Sequence, residues 1–348
     1  MDRKTPIVGT GLISGVLSVF FGALGFGGVL VFIFPEIFST PVLREVDLFW
    51  WRLLIHLVLV FGFMCGLWSI LRRRRVLPAL IGLLLVGLAT LLGGSRVPIQ
   101  GAVESTFAFN LDFFLLSILF YTAIFTPLER LWPLHGDQRV LRKDFWKDLG
   151  YFFRNTVLLQ ALTFLTIVPV AIVFERWTGG VVSDKIGALP FVVQFVIAFV
   201  AADFVTYWVH RAFHEVKWLW PFHAVHHSVE SMDWLAGSRL HIVDILATRI
   251  VGFVPLYVLG FSPAVLYLYL GFIAVHATFI HANIRWSFPR LRYVISTPEH
   301  HHWHHAKDTE ALDKNFSVHS PLFDYLFGTL HLPKNRRPKS YGLTDRSS

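Results

Sequence analysis

The chain has 348 residues, of which 54% are apolar and 16% charged, and its mean hydropathy is +0.56. Soluble globular proteins carry about 25% charged residues, so the composition excludes an ordinary soluble domain and points to a membrane protein. The net charge of +8 sits in short basic blocks between apolar stretches, the pattern of loops between spans rather than of a nucleic-acid surface, and the single cysteine, Cys65, excludes an intrachain disulfide and a thiolate metal site.

A span needs about 20 apolar residues. Spans are predicted over 7–34, 50–71, 77–94, 109–128, 149–174 and 189–209. Arg3 and Lys4 precede the first run, which lacks a convincing small-residue cleavage site and reads as a retained span rather than a removed signal. Two more apolar stretches, 243–259 and 262–282, are separated by Gly260 and Pro263 and form either a full or a re-entrant hairpin. If the first six all span, Arg72, Arg73, Arg74 and Arg75 share a side with Arg130, Arg139, Arg142, Lys143 and Lys147, while the opposite loops carry chiefly Arg44, Arg96 and Lys185. The basic side is then cytoplasmic, and the sixth span ends on it near His210. The tail after Leu332 is polar and basic and is expected to be loose at its end. The expected fold is therefore all-α: a polytopic membrane helical bundle with a cytoplasmic, histidine-rich metal cap. The membrane is a bacterial inner membrane or the endoplasmic reticulum.

Fifteen of the 17 histidines lie between His210 and His331. His210 and His214 stand at i and i+4 at the end of the sixth span. His223, His226 and His227 repeat the relation as i, i+3, i+4, and so do His301, His304 and His305, flanked by His300 and His302. Residues three and four apart lie on one helix face, with Cβ atoms roughly 5–6 Å apart, so their imidazoles can converge on an ion. Eight such histidines exceed what one ion takes and suit two metals. His281 and His276 are candidates for a ninth and a tenth ligand. His56, His135, His319 and His331, each alone in sequence, read as structural. A histidine-rich storage tract would be low in complexity, whereas these histidines are interleaved with Trp, Phe and specific turns.

The motifs resemble those of the fatty acid hydroxylase superfamily, also called the sterol desaturase family. They are Asp203-Phe-Val-Thr-Tyr-Trp-Val-His-Arg-Ala-Phe-His214, Phe222-His-Ala-Val-His-His-Ser228, His281-Ala-Asn-Ile284, Thr297-Pro-Glu-His-His-His-Trp-His-His305, Asp313-Lys-Asn-Phe316 and Phe323-Asp-Tyr-Leu-Phe-Gly-Thr329. The resemblance covers about residues 109–332 and implies a layout of N-terminal helices of unknown role (1–105), a catalytic domain (106–332) and a polar tail (333–348). It also implies a centre of two iron ions, with zinc able to replace them in purified protein. Its ligands would be His210, His214, His223, His226, His227, His281, His301, His304 and His305. The implied activity is hydroxylation or desaturation of a bilayer lipid with dioxygen. No haem or flavin domain is visible, so electrons come from a separate donor of cytochrome b5, ferredoxin or reductase type. Glu215 after His214, and His300-His301 before His304-His305, are similar to the alkylglycerol monooxygenase branch, which cleaves ether lipids. Ser238-Arg-Leu-His-Ile-Val-Asp244 is similar to the sterol C5-desaturase branch.

Glu215 is the candidate catalytic side chain. Asp203, Glu215, Asp244, Glu299 and Asp313 are candidates to accept from the second ring nitrogen of ligating imidazoles. Trp208, Trp234 and Trp303 lie near the motifs and are candidates to line a lipid channel. Two other classes compete. A membrane zinc hydrolase with H-E-x-x-H would need a histidine where Trp218 stands. A metal transporter would place its ionisable groups in mid-span, not gathered at one end.

Overall fold

The structure, a computed structural model, describes residues 11–35, 47–72, 76–98, 111–158, 173 and 181–344. Among these residues the regular structure is helical, with short 3-10 turns, two isolated β-bridges and no β-strand. The chain divides into two compact units, residues 1–127 with 156–158, and residues 128–155 with 159–348. The expected domain boundary at 105/106 lies outside the described residues. So do Arg3, Lys4, Arg44, Arg73, Arg74 and Arg75, residues 7–10 of the first predicted span and residues 159–172 of the fifth.

The first unit contains α1 (Leu12–Ile33), α2 (Leu48–Leu71), α3 (Leu77–Leu91) and most of α4 (Leu111–Leu131). Lipid tails are as apolar as leucine, so close packing and hydroxyl bonds, rather than hydrophobic burial, hold such helices together. Here α1 packs on both α2 and α3 through small residues. A Cβ added at Gly22 would stand 2.6 Å from the Gly82 carbonyl oxygen. Ser18 Oγ donates to the Gly62 carbonyl at 2.8 Å and Ser69 Oγ to that of Gly11 at 2.7 Å. The outer face of α2 leaves Leu54, Phe61, Phe63, Met64 and Trp68 exposed, as a lipid-facing surface requires.

The second unit contains most of α5 (Phe145–Val157), α6 (Val181–Gly187), α7 (Phe191–Glu215), α8 (Trp220–His227), α9 (Ile242–Val258), α10 (Pro263–His281), α11 (Pro298–His304) and α12 (Leu322–Leu326). Ala198 and Ala202 let α7 approach the α9–α10 hairpin, where Phe253, Leu256, Val265 and Tyr269 complete the core. Gly260, in the left-handed region at φ 65°, turns the hairpin, and Pro263 opens α10. The C-terminal ends of α7 and α10 and the N-terminal end of α9 therefore meet at one end of the unit, where the histidines lie.

Among the described residues, five helical segments are long and apolar enough to cross a bilayer: α1, α2, Leu77–Arg96, α7 and α10. The chain is thus a multi-pass, all-α membrane protein. The fourth predicted span coincides with α4. Within the predicted hairpin, α10 has spanning length, while α9 has 17 residues, about 25 Å against a hydrocarbon core of about 30 Å. The fifth predicted span needs correction at its start. Its first residues belong to α5, which begins at Phe145 and carries Lys147, Asp148 and Arg154. Arg154 and Asn155 donate to the carbonyls of Leu240 and Ser238, so this stretch packs on the loop before α9. The tail after Leu332 is docked as far as Tyr341, while its last residues, 345–348, which were expected to be loose, lie outside the described residues. Tyr341 is buried, its main chain bridges to Ala306, and its hydroxyl bonds the rings of His135 (3.0 Å) and His302 (3.1 Å).

Gly82→Val forces a side chain into the backbone of α1 at Ser18 and Val19. It is expected to destabilise the first unit by about 1–3 kcal/mol, read as a lowered unfolding temperature in detergent. Gly87→Val, which meets nothing within 4 Å, is expected to leave that temperature unchanged.

Candidate metal centre

The nine histidines named as ligands fall into two adjoining groups. His210, His214, His223, His227 and His304 form one; His226, His281, His301 and His305 form the other. Within each, one ligand atom per residue lies within 4.8 Å of all the rest. The division follows helix geometry. In each of α7, α8 and α11 with its cap, an i, i+4 pair stays together: His210 with His214, His223 with His227, His301 with His305. The i+3 residue, His226 or His304, crosses to the other group. Positions i+3 and i+4 are about 100° apart around a helix axis, so one turn can serve two sites. The groups abut where the His227 and His305 rings stack at 4.5 Å.

Second-nitrogen contacts fix the orientation of most rings. In the five-histidine group, His210 Nδ1 faces the Phe316 carbonyl at 2.6 Å and His304 Nδ1 that of Lys314 at 2.9 Å. His223 Nδ1 faces Asp244 Oδ2 at 2.8 Å and His214 Nδ1 faces Asp313 Oδ1 at 3.3 Å. In the four-histidine group, His226 Nδ1 faces the Arg239 carbonyl at 3.2 Å and His281 Nδ1 that of Ala277 at 2.7 Å. A carbonyl or carboxylate oxygen only accepts, so each of these Nδ1 atoms carries the proton. A neutral imidazole has one N–H, which leaves Nε2 as a bare lone pair. Yet Nε2 of His210 lies 2.9 Å from Nε2 of His223, and Nε2 of His281 lies 3.2 Å from Nε2 of His226. Two lone pairs cannot hydrogen-bond each other, so a cation between them is what makes each contact favourable. His214 Nε2, buried and without a hydrogen-bond partner, has the same need. The donor set, all neutral imidazole, suits iron, copper, nickel or zinc.

The pocket also keeps its rings neutral. Burial, reinforced by the neighbouring imidazoles, pushes His226, His227, His301 and His305 well below the ordinary histidine range, and burial with His210 and His223 does the same to His304.

A buried ion network braces the loop that presents Arg239. Arg142 grips Asp233 with two bonds of 2.6 and 2.7 Å and reaches Asp148 at 2.6 Å. Asp148 also pairs with Arg239, whose side chain is fully buried and whose carbonyl receives His226. Glu129 ties the same region together by accepting from the main-chain N–H of Trp234 and Asn283.

The remaining sequence candidates are placed elsewhere. His276 bonds the Ser296 carbonyl at 2.8 Å, and His300 pairs with Asp324 at 3.1 Å. Asp203 accepts from the main chain of His319 and Ser320, and Glu299 pairs with Arg292. Glu215 lies outside both groups, half-exposed and paired with Arg211 at 2.7 Å. Trp303 is core, buried beside Ala306 and Ala311. The tryptophan that does lie against the imidazoles is Trp220, with ring centroids 5.1 Å from His214 and 5.5 Å from His227. Its position two residues after Trp218 gave no sequence signal, because the intervening loop decides which indole faces inward.

Residues 195–329 match the fatty acid hydroxylase family. Ornithine lipid hydroxylase from Rhizobium tropici is 34% identical over 158 residues, covering 45% of this chain and 47% of that protein. Alkylglycerol monooxygenase from Homo sapiens is 32% identical over 147 residues, covering 42% of this chain and 32% of that protein. A very-long-chain aldehyde decarbonylase from Arabidopsis thaliana is 23% identical over 237 residues, covering 62% of this chain and 35% of that protein. The matched stretch thus spans about half or less of these relatives. No solved structure matches the chain significantly.

Asp148→Ala would leave Arg142 and Arg239 short of a buried counter-charge. It is expected to lower stability by about 3–5 kcal/mol, measured by thermal unfolding in detergent. The lowered histidine pKa values give a pH dependence of definite sign. The unfolded chain binds protons near the ordinary pKa of about 6.5, while the folded metal-free protein does not. Its stability is therefore complete above that value and falls as the pH drops below it, by up to about 1.4 kcal/mol per pH unit for each such histidine. Unfolding temperatures of metal-free protein that stay level between about pH 7.5 and about pH 5.5 would contradict this account.

Proposed function

With residues 195–329 matching the fatty acid hydroxylase family, we propose that the protein is a membrane lipid oxygenase whose two histidine groups each hold one iron ion. The observation that carries the reading is the pair of Nε2–Nε2 contacts, one in each group, between rings whose protons are committed to oxygen acceptors on their other side. Five such contacts, all within groups, measure 2.9–3.2 Å. Contacts this short let one ion lie between each pair of rings, and an all-imidazole donor set suits iron.

When bound, the irons supply the activation of dioxygen, and the net reaction turns a C–H bond, O2, two electrons and two protons into a C–OH bond and water. The residues of the chain do the rest. The six Nδ1 acceptors hold the rings in one orientation. Trp220 and Phe316 cover the five-histidine group with apolar surface and keep bulk water from it. The exposed apolar faces of α7 and α10 open to the bilayer, the source of a lipid substrate. The similarity to ornithine lipid hydroxylase and alkylglycerol monooxygenase supports a polar lipid as the substrate class.

Orientation belongs to the same proposal. Residues 132–144 pack at the histidine end, where the His135 N–H donates to Asn283 and Gln138 to the Met232 carbonyl. They bring Arg139 and Lys143 there, which by the positive-inside rule supports a cytoplasmic histidine end. A cytoplasmic cap gives access to a separate electron donor of cytochrome b5, ferredoxin or reductase type.

Protein purified with iron retained is expected to carry about two irons per chain and to oxidise lipid only with oxygen and reductant. His226→Ala and His304→Ala, one from each group, are expected to lower both iron content and turnover. Active protein holding one zinc and no iron would sink the reading in favour of a zinc hydrolase.

A further inference from the structure

The two histidine groups differ in what stands behind them. Four of the five imidazoles in the larger group have a defined Nδ1 acceptor, and two of those acceptors are carboxylates, Asp244 and Asp313. Three of the four acceptors come from a single turn, Asp313–Phe316. This turn is conformationally fixed. Asp313 and Asn315 both sit in the left-handed region, at φ 54° and 58°, a conformation that costs energy for residues other than glycine and persists when the surroundings impose it. Asn315 is fully buried; it donates to the carbonyls of His300 and His331 and accepts from the His331 N–H. Asp324, also fully buried, accepts from the main-chain N–H of Phe316 and Ser317.

The smaller group is less supported. Two of its four rings, His226 and His281, have carbonyl acceptors, and that of His281 comes from its own helix. Nδ1 of His301 and of His305 is buried without a hydrogen-bond partner. No carboxylate stands behind any of the four rings among the described residues. An acceptor on the second nitrogen raises the basicity of the ligating one and fixes the ring, and its loss typically lowers metal affinity by 10–100-fold.

We propose that the two metal positions are unequal by construction: the five-histidine group, backed by Asp244 and the Asp313–Phe316 turn, binds its ion tightly and fills first, while the four-histidine group is the weaker, exchangeable position. The proposal rests on the two-metal reading above. In it Asp313 acts as a positioning residue through His214, and Asp244 through His223.

The test is equilibrium dialysis of the full-length, metal-free protein against ferrous iron without oxygen, read by metal content rather than activity. Two classes are expected, one equivalent tighter than the other. Asp244→Asn and Asp313→Asn keep an acceptor and remove its charge. They are expected to weaken the tight class about 10–100-fold and leave the loose class unchanged. His305→Ala is expected to abolish the loose class alone. Asp244 is buried, but the Asp313 side chain is 66% exposed, so the Asp313 variant keeps its fold and carries the test by itself. Two equivalents of indistinguishable affinity, or an Asp313→Asn protein whose loose class is the one weakened, would overturn the proposal. Binding of a single iron by the unmodified protein would overturn the two-metal reading beneath it instead.

Discussion

Nine imidazoles packed ring against ring with their Nε2 lone pairs converging is the constraint around which the second unit is organised. Neutral rings at this spacing repel unless cations lie between them, and six of the nine are held in place by an oxygen acceptor behind Nδ1. Every acceptor that does so is supplied by an element with its own anchoring. Phe316 and Lys314 depend on the buried side chains of Asn315 and Asp324. The Arg239 carbonyl depends on the pairing of its own guanidinium with Asp148. Buried ion pairs of this kind add little stability by themselves, because desolvation offsets much of the attraction. Their worth here is that they fix a loop whose carbonyl must point one way.

Much of this was legible in the sequence, for a local reason. The spacing of i, i+3 and i+4 histidines is a property of a single turn of helix, and the turns form where the apolar and capping patterns place them. The five long apolar segments are legible for the same reason, since a span is read from composition alone. The assignment of each histidine to a group was not legible. His226 and His227 are neighbours in sequence, yet they point to different groups because adjacent positions diverge by about 100° on a helix. Spacing says that residues share a side of a helix; it does not say that they share an ion.

The acceptors behind the rings were half legible. Of the five carboxylates that the sequence offered, Asp244 and Asp313 stand behind ligand histidines, whereas Asp203, Glu215 and Glu299 bond main chain or arginine instead. A carboxylate can be seen in a sequence, but its partner depends on tertiary packing. The four carbonyl acceptors were invisible, because every residue has a carbonyl and only the fold decides which one is aimed. The docked tail is a similar case. Its composition is polar, and one aromatic residue, Tyr341, docks it by reaching half-buried His135 and buried His302 on two other segments.

The α9–α10 hairpin shows how one topological choice serves both chemistry and membrane. Five ligands arise at or just after the end of α7, and a chain that left the membrane there for good could bring no further spanning helix to the same pocket. The hairpin returns it, so that α10 ends on His281. Its other arm, α9, begins beside the pocket, with His241 Nδ1 accepting from the Val243 N–H and Asp244 in the first helical turn. A carboxylate is favoured at a helix N-terminus, where the unpaired N–H groups carry partial positive charge. The hairpin thus delivers a ligand from one arm and the anion behind His223 from the other. Neither arm could do so if the turn at Gly260 lay at the histidine end of the unit.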